Sequence, residues 1–169
     1  MADCTGGNFT GRNLQVRFAQ GCGDLDLETA DFKTFGSINS KSLDFTANTT
    51  DNTSDLSGAV ESTLVTTLAS DITVSGFADK SDTALVSNQL EITKYFINET
   101  IARRQPSGWL HVFADGYFLE YYIFVNITQG PGLSGGTNDT VTFSMTFQAT
   151  ATNVDGVDSI QVNDVTPTP

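Results

Sequence analysis

Period-two alternation of apolar and polar residues is the feature that most limits what this chain can become. The segment Val141-Thr-Phe-Ser-Met-Thr-Phe-Gln-Ala149 puts Val141, Phe143, Met145, Phe147 and Ala149 on one side, and Thr142, Ser144, Thr146 and Gln148 on the other. Successive strand residues point to opposite faces, so the pattern specifies a half-buried β-strand. The same alternation places Leu14, Val16 and Phe18 between Gln15 and Arg17, and Leu43 and Phe45 between Ser42, Asp44 and Thr46. Ile72, Val74 and Gly76 alternate with Asp71, Thr73 and Ser75. Strands with one apolar and one polar face build an antiparallel sheet that is wetted on one side.

Two further elements complete the expected architecture. Trp109–Phe113 and Tyr117–Ile127 flank Ala114-Asp115-Gly116, a hairpin in which Asp-Gly supplies the backbone freedom of a tight turn. Tyr117, Leu119, Tyr121, Ile123, Val125 and Ile127 share an uninterrupted apolar face, and Phe118, Glu120, Tyr122, Phe124 and Asn126 form a mixed one, so cover is expected on both sides. Residues 82–104 read as one helix: Val86, Leu90, Ile97 and Ile101 fall near helical spacing, Ser81 or Asp82 caps the start, and Arg103 and Arg104 suit the C-terminal end of the dipole. Pro106 and Gly108 stop it. Residues 19–36, 47–63 and 129–140 read as loops, the second long enough to suggest function. The expected organisation is one domain over 1–152, followed by a C-terminal arm over 153–169.

Charge narrows the partners. Twenty Asp and Glu against eight Lys and Arg give a net charge of −12 in 169 residues. A groove that grips DNA or RNA by neutralising phosphates is basic, so that class is excluded. No apolar run reaches the roughly 18 residues of a membrane span, so no membrane insertion is expected. The N-terminus lacks the layout of an export signal, which implies synthesis in the cytoplasm and free thiols at Cys4 and Cys22, although a loop of that length closes readily. Six Asn-x-Ser/Thr sequons are discounted on the same ground.

No catalytic constellation survives inspection. The single histidine, His111, lies in an expected strand with no nucleophile motif and reads as a packed, hydrogen-bonded side chain. Asp24, Asp26 and Glu28 share one side of an extended segment, and Asp51–Asp55 begins like a calcium loop, but Leu56 stands where that loop needs Gly and Ser62 where it needs Glu. Gly130–Gly136 lacks the Lys-Ser/Thr of a phosphate cradle. No enzyme activity, metal or cofactor is therefore expected. A carbohydrate-binding or adhesive β-sandwich is the second reading, resting on Trp109, the tyrosines and the loops at 47–63 and 129–140.

The order of elements and the stretch from Ser37 to Asp79 resemble the major tail tube proteins of long-tailed bacteriophages. Leu43-Asp44-Phe45-Thr46 matches the family's Ser/Asp-Phe strand ending, Thr49-Thr50-Asp51 its Thr-Thr-Asp stretch before a long loop, and Asp71–Phe77 its Ile-Thr-Val-Ser-Gly strand. The resemblance implies a mainly β, antiparallel β-sandwich or barrel with one flanking α-helix and a long inter-strand loop, similar to type VI secretion tube proteins. It further implies self-assembly into hexameric rings stacked as a tube, with tape measure and tail tip or terminator proteins as partners, in a virion tail assembled in the bacterial cytoplasm. On that reading Thr49, Thr50, Asp51, Asn52, Thr53, Ser54 and Asp55 reach a neighbouring subunit or ring. Asp44, Asp71, Thr73, Ser75, Thr142, Ser144, Thr146 and Gln148 line a lumen through which double-stranded DNA passes without sticking.

Overall fold

The computed structural model describes residues 14–35, 38–51, 63–78, 89–114, 119–137 and 139–164. Eight strands and one helix follow in the order β1 (Leu14–Gln20), β2 (Lys33–Thr34), β3 (Ile38–Asp51), β4 (Thr63–Phe77), α1 (Gln89–Ile101), β5 (Ser107–Ala114), β6 (Leu119–Ser134), β7 (Thr142–Ala149) and β8 (Ile160–Asp164). All pair antiparallel in one sheet with the spatial order β2-β1-β5-β6-β7-β4-β3, and β8 adds to the N-terminal half of β6.

The apolar halves of the alternating strands all fall on one face. Val16 and Phe18 of β1, Leu110 and Val112 of β5, Ile123, Val125 and Ile127 of β6, Phe143, Met145 and Phe147 of β7, and Ile72 and Val74 of β4 form a single buried cluster with Phe35. A flat sheet cannot bury that face against itself, so the sheet curls until opposite ends meet. The ring of Phe18 on β1 comes 5.8 Å from that of Phe147 on β7, and the Lys41 ammonium of β3 donates to the Leu14 carbonyl of β1. Each fully buried Phe, Leu or Ile in such a core contributes about 1.5–3 kcal/mol relative to exposure.

Helix α1 closes the remaining opening. Ile92 is fully buried in the core, and Gln89 Nε2 donates to the carbonyls of Phe35 (2.9 Å) and Phe77 (3.2 Å), tying the helix start to the ends of β2 and β4. Tyr95 donates its hydroxyl to the Ser107 carbonyl at 2.8 Å. Phe96 lies so close to Gly130 that a Cβ there would sit 2.5 Å from the ring. The helix is shorter than the 82–104 read from sequence: it ends at Ile101, and residues 79–88 lie outside the described set.

Two expected loops and the expected terminal arm are replaced partly by strand. Thr49, Thr50 and Asp51 pair with Val65, Leu64 and Thr63, so most of the 47–63 segment's described ends extend the β3–β4 hairpin. Gln129–Ser134, read as a flexible connection, continues β6; register shifts at Ile127/Gln129 and Gln129/Gly132 accommodate Pro131, which a regular interior ladder would reject. In the expected terminal arm, Ile160–Asp164 folds back as β8.

Candidate functional site

The polar halves of β3, β4 and β7 make one continuous surface. Cross-strand register aligns Asp44, Asp71 and Gln148 in a row that β6 and β5 extend with Asn126 and Ser107. A second row runs Ser42, Thr73, Thr146 and Gln129, and a third Ser40, Ser75, Ser144 and Gly132. Directly paired residues of an antiparallel sheet share a face, so all eight residues singled out from alternation (Asp44, Asp71, Thr73, Ser75, Thr142, Ser144, Thr146 and Gln148) come together. Asn126 and Gln129 of β6 belong to the same surface and were not singled out. Their signal was the polar break at Asn126 and the Gln ahead of the glycines. The wall is self-bonded: Thr146 donates to Gln129 Oε1 at 3.3 Å, and Thr128 to the Thr146 carbonyl at 3.2 Å. It carries carboxylates at one end and hydroxyls elsewhere, with no Lys or Arg in its rows.

The rest of the outer face is partly covered. Over β1, β5 and β6 the strap 21–32 crosses the sheet, and the fully buried Trp109 donates Nε1–H to the Cys22 carbonyl at 3.1 Å. Gly23 meets the Thr152 backbone so closely that a Cβ would lie 2.4 Å from its carbonyl oxygen. His111 stacks on Tyr122 at 4.4 Å, has Phe32 edge-on at 5.6 Å, and holds Glu120 at 2.9 Å through Nε2. Burial lowers the imidazole pKa, and the Glu120 carboxylate opposes that shift only in part. This is a packing node, as the sequence implied. Trp109, the mainstay of a sugar-binding reading, has no exposed face. Asp26, a calcium candidate, instead accepts from the Glu28 N–H (3.1 Å) and the Thr29 hydroxyl (2.9 Å) in its own turn. Among the described residues no group of three or more His, Cys, Asp or Glu is placed to hold a metal ion. No helix among them is long and apolar enough to cross a membrane.

Beyond Asp71, where β4 loses β7 as a partner, β3 and β4 continue as a two-stranded arm for about 25 Å at the ordinary rise per residue. A register shift between Asn48 and Thr49 marks a bulge, and Leu64, Val65 and Leu68 are more than half exposed on the arm. Asn52, Thr53, Ser54 and Asp55 lie outside the described residues, as do Cys4 and residues 115–118, which include the expected Asp115-Gly116 turn.

At the far end of α1, the Arg103 N–H donates to the Thr100 carbonyl (3.1 Å) and the Arg104 N–H to the Glu99 carbonyl (2.8 Å), with Arg103 left-handed at φ 56°. That is a Schellman cap with arginine where glycine is favoured, at a cost of roughly 1 kcal/mol. Arg104 also forks onto Glu99, its Nε–Oε2 distance 2.7 Å and its Nη2–Oε1 distance 2.6 Å, which holds the Glu99 carboxyl below the usual range.

A curled antiparallel sheet, one helix across its opening and a long hairpin from its open edge are the features to compare with solved structures. The chain superposes on a chain of the SPP1 tail tube with a TM-score of 0.62 at 13% identity, covering 94% of this chain and 80% of that one. The fold is that of tail tube subunits. A chain from the tail of an empty gene transfer agent particle with C6 symmetry matches with a TM-score of 0.61 at 16% identity, covering 94% of this chain and all of that one. A chain of the six-fold symmetrised baseplate of the anti-feeding prophage matches with a TM-score of 0.55 at 8% identity, over 93% and 96% of the two chains. No protein-family model matches the sequence, and no curated protein matches it.

Proposed function

We propose that this chain is the structural subunit of a phage-type tail tube: six copies close a ring, rings stack, and the polar face of β3, β4 and β7 lines the channel. The observation that carries the reading is that continuous face. Its rows of Ser, Thr, Asn and Gln are half-buried to exposed, while on the neighbouring half of the same sheet surface Trp109 and His111 are buried beneath the strap. A monomer gains nothing from keeping one half dry and the other smooth and cation-free. A conduit for DNA does, because phosphates find neither Lys nor Arg to bind, and Asp44 and Asp71 repel them.

The open edge of β3 supports assembly for a second reason. Among the described strands β3 pairs only with β4 and is the terminal strand of the sheet order. Long open edges invite pairing, and a closed ring of sheets removes them. Tail tubes of this fold occur in the SPP1 tail and with C6 symmetry in the gene transfer agent tail, which favours six-membered rings for this chain. Tape measure and tail tip or terminator proteins are the partners such a tube requires, and a virion tail is its destination. The role is structural, without catalysis.

Purified protein examined by negative-stain microscopy across a concentration series tests the proposal. Rings or tubes of uniform width are expected. Monomers that persist up to millimolar concentration, with and without a tail tip complex as initiator, contradict it.

A further inference from the structure

The irregularities in the middle of the sheet gather at one boundary. Resting on the tube reading above, we propose that the double bulge at residues 128–131 of β6, wedged by Phe96 of α1, sets the angle between two panels of the sheet. Through that angle it sets the number of subunits in a ring and the bore of the channel.

Register separates the regular ladders from the irregular one. From Asp71 opposite Gln148 to Phe77 opposite Thr142 the β4–β7 ladder runs without a shift, and so does β5–β6 from Ser107 opposite Asn126 to Phe113 opposite Glu120. The β6–β7 ladder between them shifts twice within a few residues. Thr128 has no counterpart in that register, because Ile127 faces Phe147 and Gln129 already faces Thr146. Gly130 and Pro131 together stand opposite Met145. An extra residue bends its strand and increases the local twist, and bulges with glycine kinks are the means by which sheets are given curvature. The bend therefore falls between the panel β7-β4-β3, which carries the hydroxyl rows, and the panel β1-β5-β6 beneath the strap.

Both bulges are held in place. The Thr128 hydroxyl donates to the Thr146 carbonyl at 3.2 Å, and the Thr146 hydroxyl to Gln129 Oε1 at 3.3 Å, so side chains join the strands where the ladder is interrupted. Pro131 has no N–H to leave unpaired at the second bulge. On the apolar side α1 packs on β6, and the Phe96 ring lies where a Cβ on Gly130 would be 2.5 Å away. The preceding residue, Tyr95, donates its hydroxyl to the Ser107 carbonyl of β5 (2.8 Å) and accepts the Ser107 N–H (3.2 Å). The helix is thus a strut between β5 and the bulge, and it fixes the bend against the adjoining panel. In a closed ring every subunit turns the next by the same angle, so a bend inside the subunit decides how many copies close it.

The test measures tube diameter and ring symmetry of the full chain in negative-stain class averages, with wild type alongside. Deleting Pro131 leaves Gly130 as the sole residue opposite Met145 and restores a regular ladder there. Gly130→Ala drives a methyl into the Phe96 ring. Both variants should stay folded by circular dichroism and build rings whose mean diameter lies outside the wild-type spread, or whose symmetry differs. Phe96→Leu added to Gly130→Ala makes room for the methyl and should bring the diameter back toward wild type. Gly132→Ala, where nothing lies within 4 Å of the added Cβ, should leave it unchanged. The proposal falls and the tube reading stands if wild type assembles while neither variant gives rings of altered diameter or symmetry. That holds whether the dimensions are unchanged, the folded variants form no rings, or the variants do not fold. If wild type itself never assembles, both fall.

Discussion

Asp44 on β3 stands directly opposite Asp71 on β4, two exposed carboxylates paired across neighbouring strands. Like charges so placed destabilise a sheet. Their row continues through Gln148 and Asn126, neither of which supplies a compensating cation. On the proposed tube reading the pair is a repulsive end to the channel wall. Asp71→Asn should raise the urea midpoint of the monomer, by less than about 1 kcal/mol in stability, and the gain should shrink between 20 mM and 500 mM salt. Equal or lower stability in the variant contradicts the repulsion.

Ser70 is the neighbouring residue on the core side of β4. Its hydroxyl is fully buried and has no hydrogen-bond partner among the described residues. A buried, unsatisfied polar group costs about 1–3 kcal/mol. Ser70→Ala, which removes the hydroxyl at almost constant volume, should stabilise the fold by about 1 kcal/mol in chemical denaturation. A destabilised variant would indicate a bond the hydroxyl makes in solution.

Two glycines of the sheet make a matched comparison. At Gly108 an added Cβ lies 2.5 Å from the Ala19 carbonyl oxygen and 2.6 Å from the Phe18 ring, both fixed by the β1–β5 ladder and the core. At Gly132 nothing lies within 4 Å. Gly108→Ala should cost about 3 kcal/mol as an overpacking change, whereas Gly132→Ala should stay within about 0.5 kcal/mol of wild type. Thermal unfolding of both variants provides the check, and similar melting temperatures would contradict the close approach.

His111 predicts a pH effect with a definite sign. Burial lowers its folded-state pKa below the ordinary 6.5, with Glu120 opposing and Arg17, its direct cross-strand partner, adding to the shift. The unfolded chain then binds a proton that the folded chain refuses, so this group's contribution to stability falls as pH drops below about 6.5 and levels off below the folded pKa. Between pH 7.5 and 5.5 wild type should lose more stability than His111→Gln, measured by urea midpoint. Parallel profiles for the two proteins contradict a depressed pKa.

Much of this architecture is legible in the sequence because alternation speaks directly wherever one face of a strand is buried. Val141–Ala149 and Asp71–Phe77 declare both their core and their polar faces, and the register merely aligns them. The arm is illegible for the same reason: Ala47–Asp51 is exposed on both faces, so no apolar period marks it, and only its β-branched threonines hint at strand. Gly130-Pro131-Gly132 looks like a loop because composition cannot reveal the two register shifts that let β6 pass through it. In β8 a signal was present, Ile160 and Val162 alternating with Gln161 and Asn163, but it sits in an acidic, proline-ended tail whose composition suggests none. The strap that covers Trp109 and His111 depends on long-range contacts of Cys22 and Phe32, which no local pattern encodes.

The central claim is that Thr73, Thr146 and Asp71 face the inside of a tube. Helical reconstruction of assembled protein by electron cryomicroscopy reads this directly. The account predicts six-fold rings with the β4–β7 hydroxyl rows and the Asp44–Asp71 pair on the channel wall. A tube that carries those rows on its outer surface, or an assembly with no channel, contradicts it.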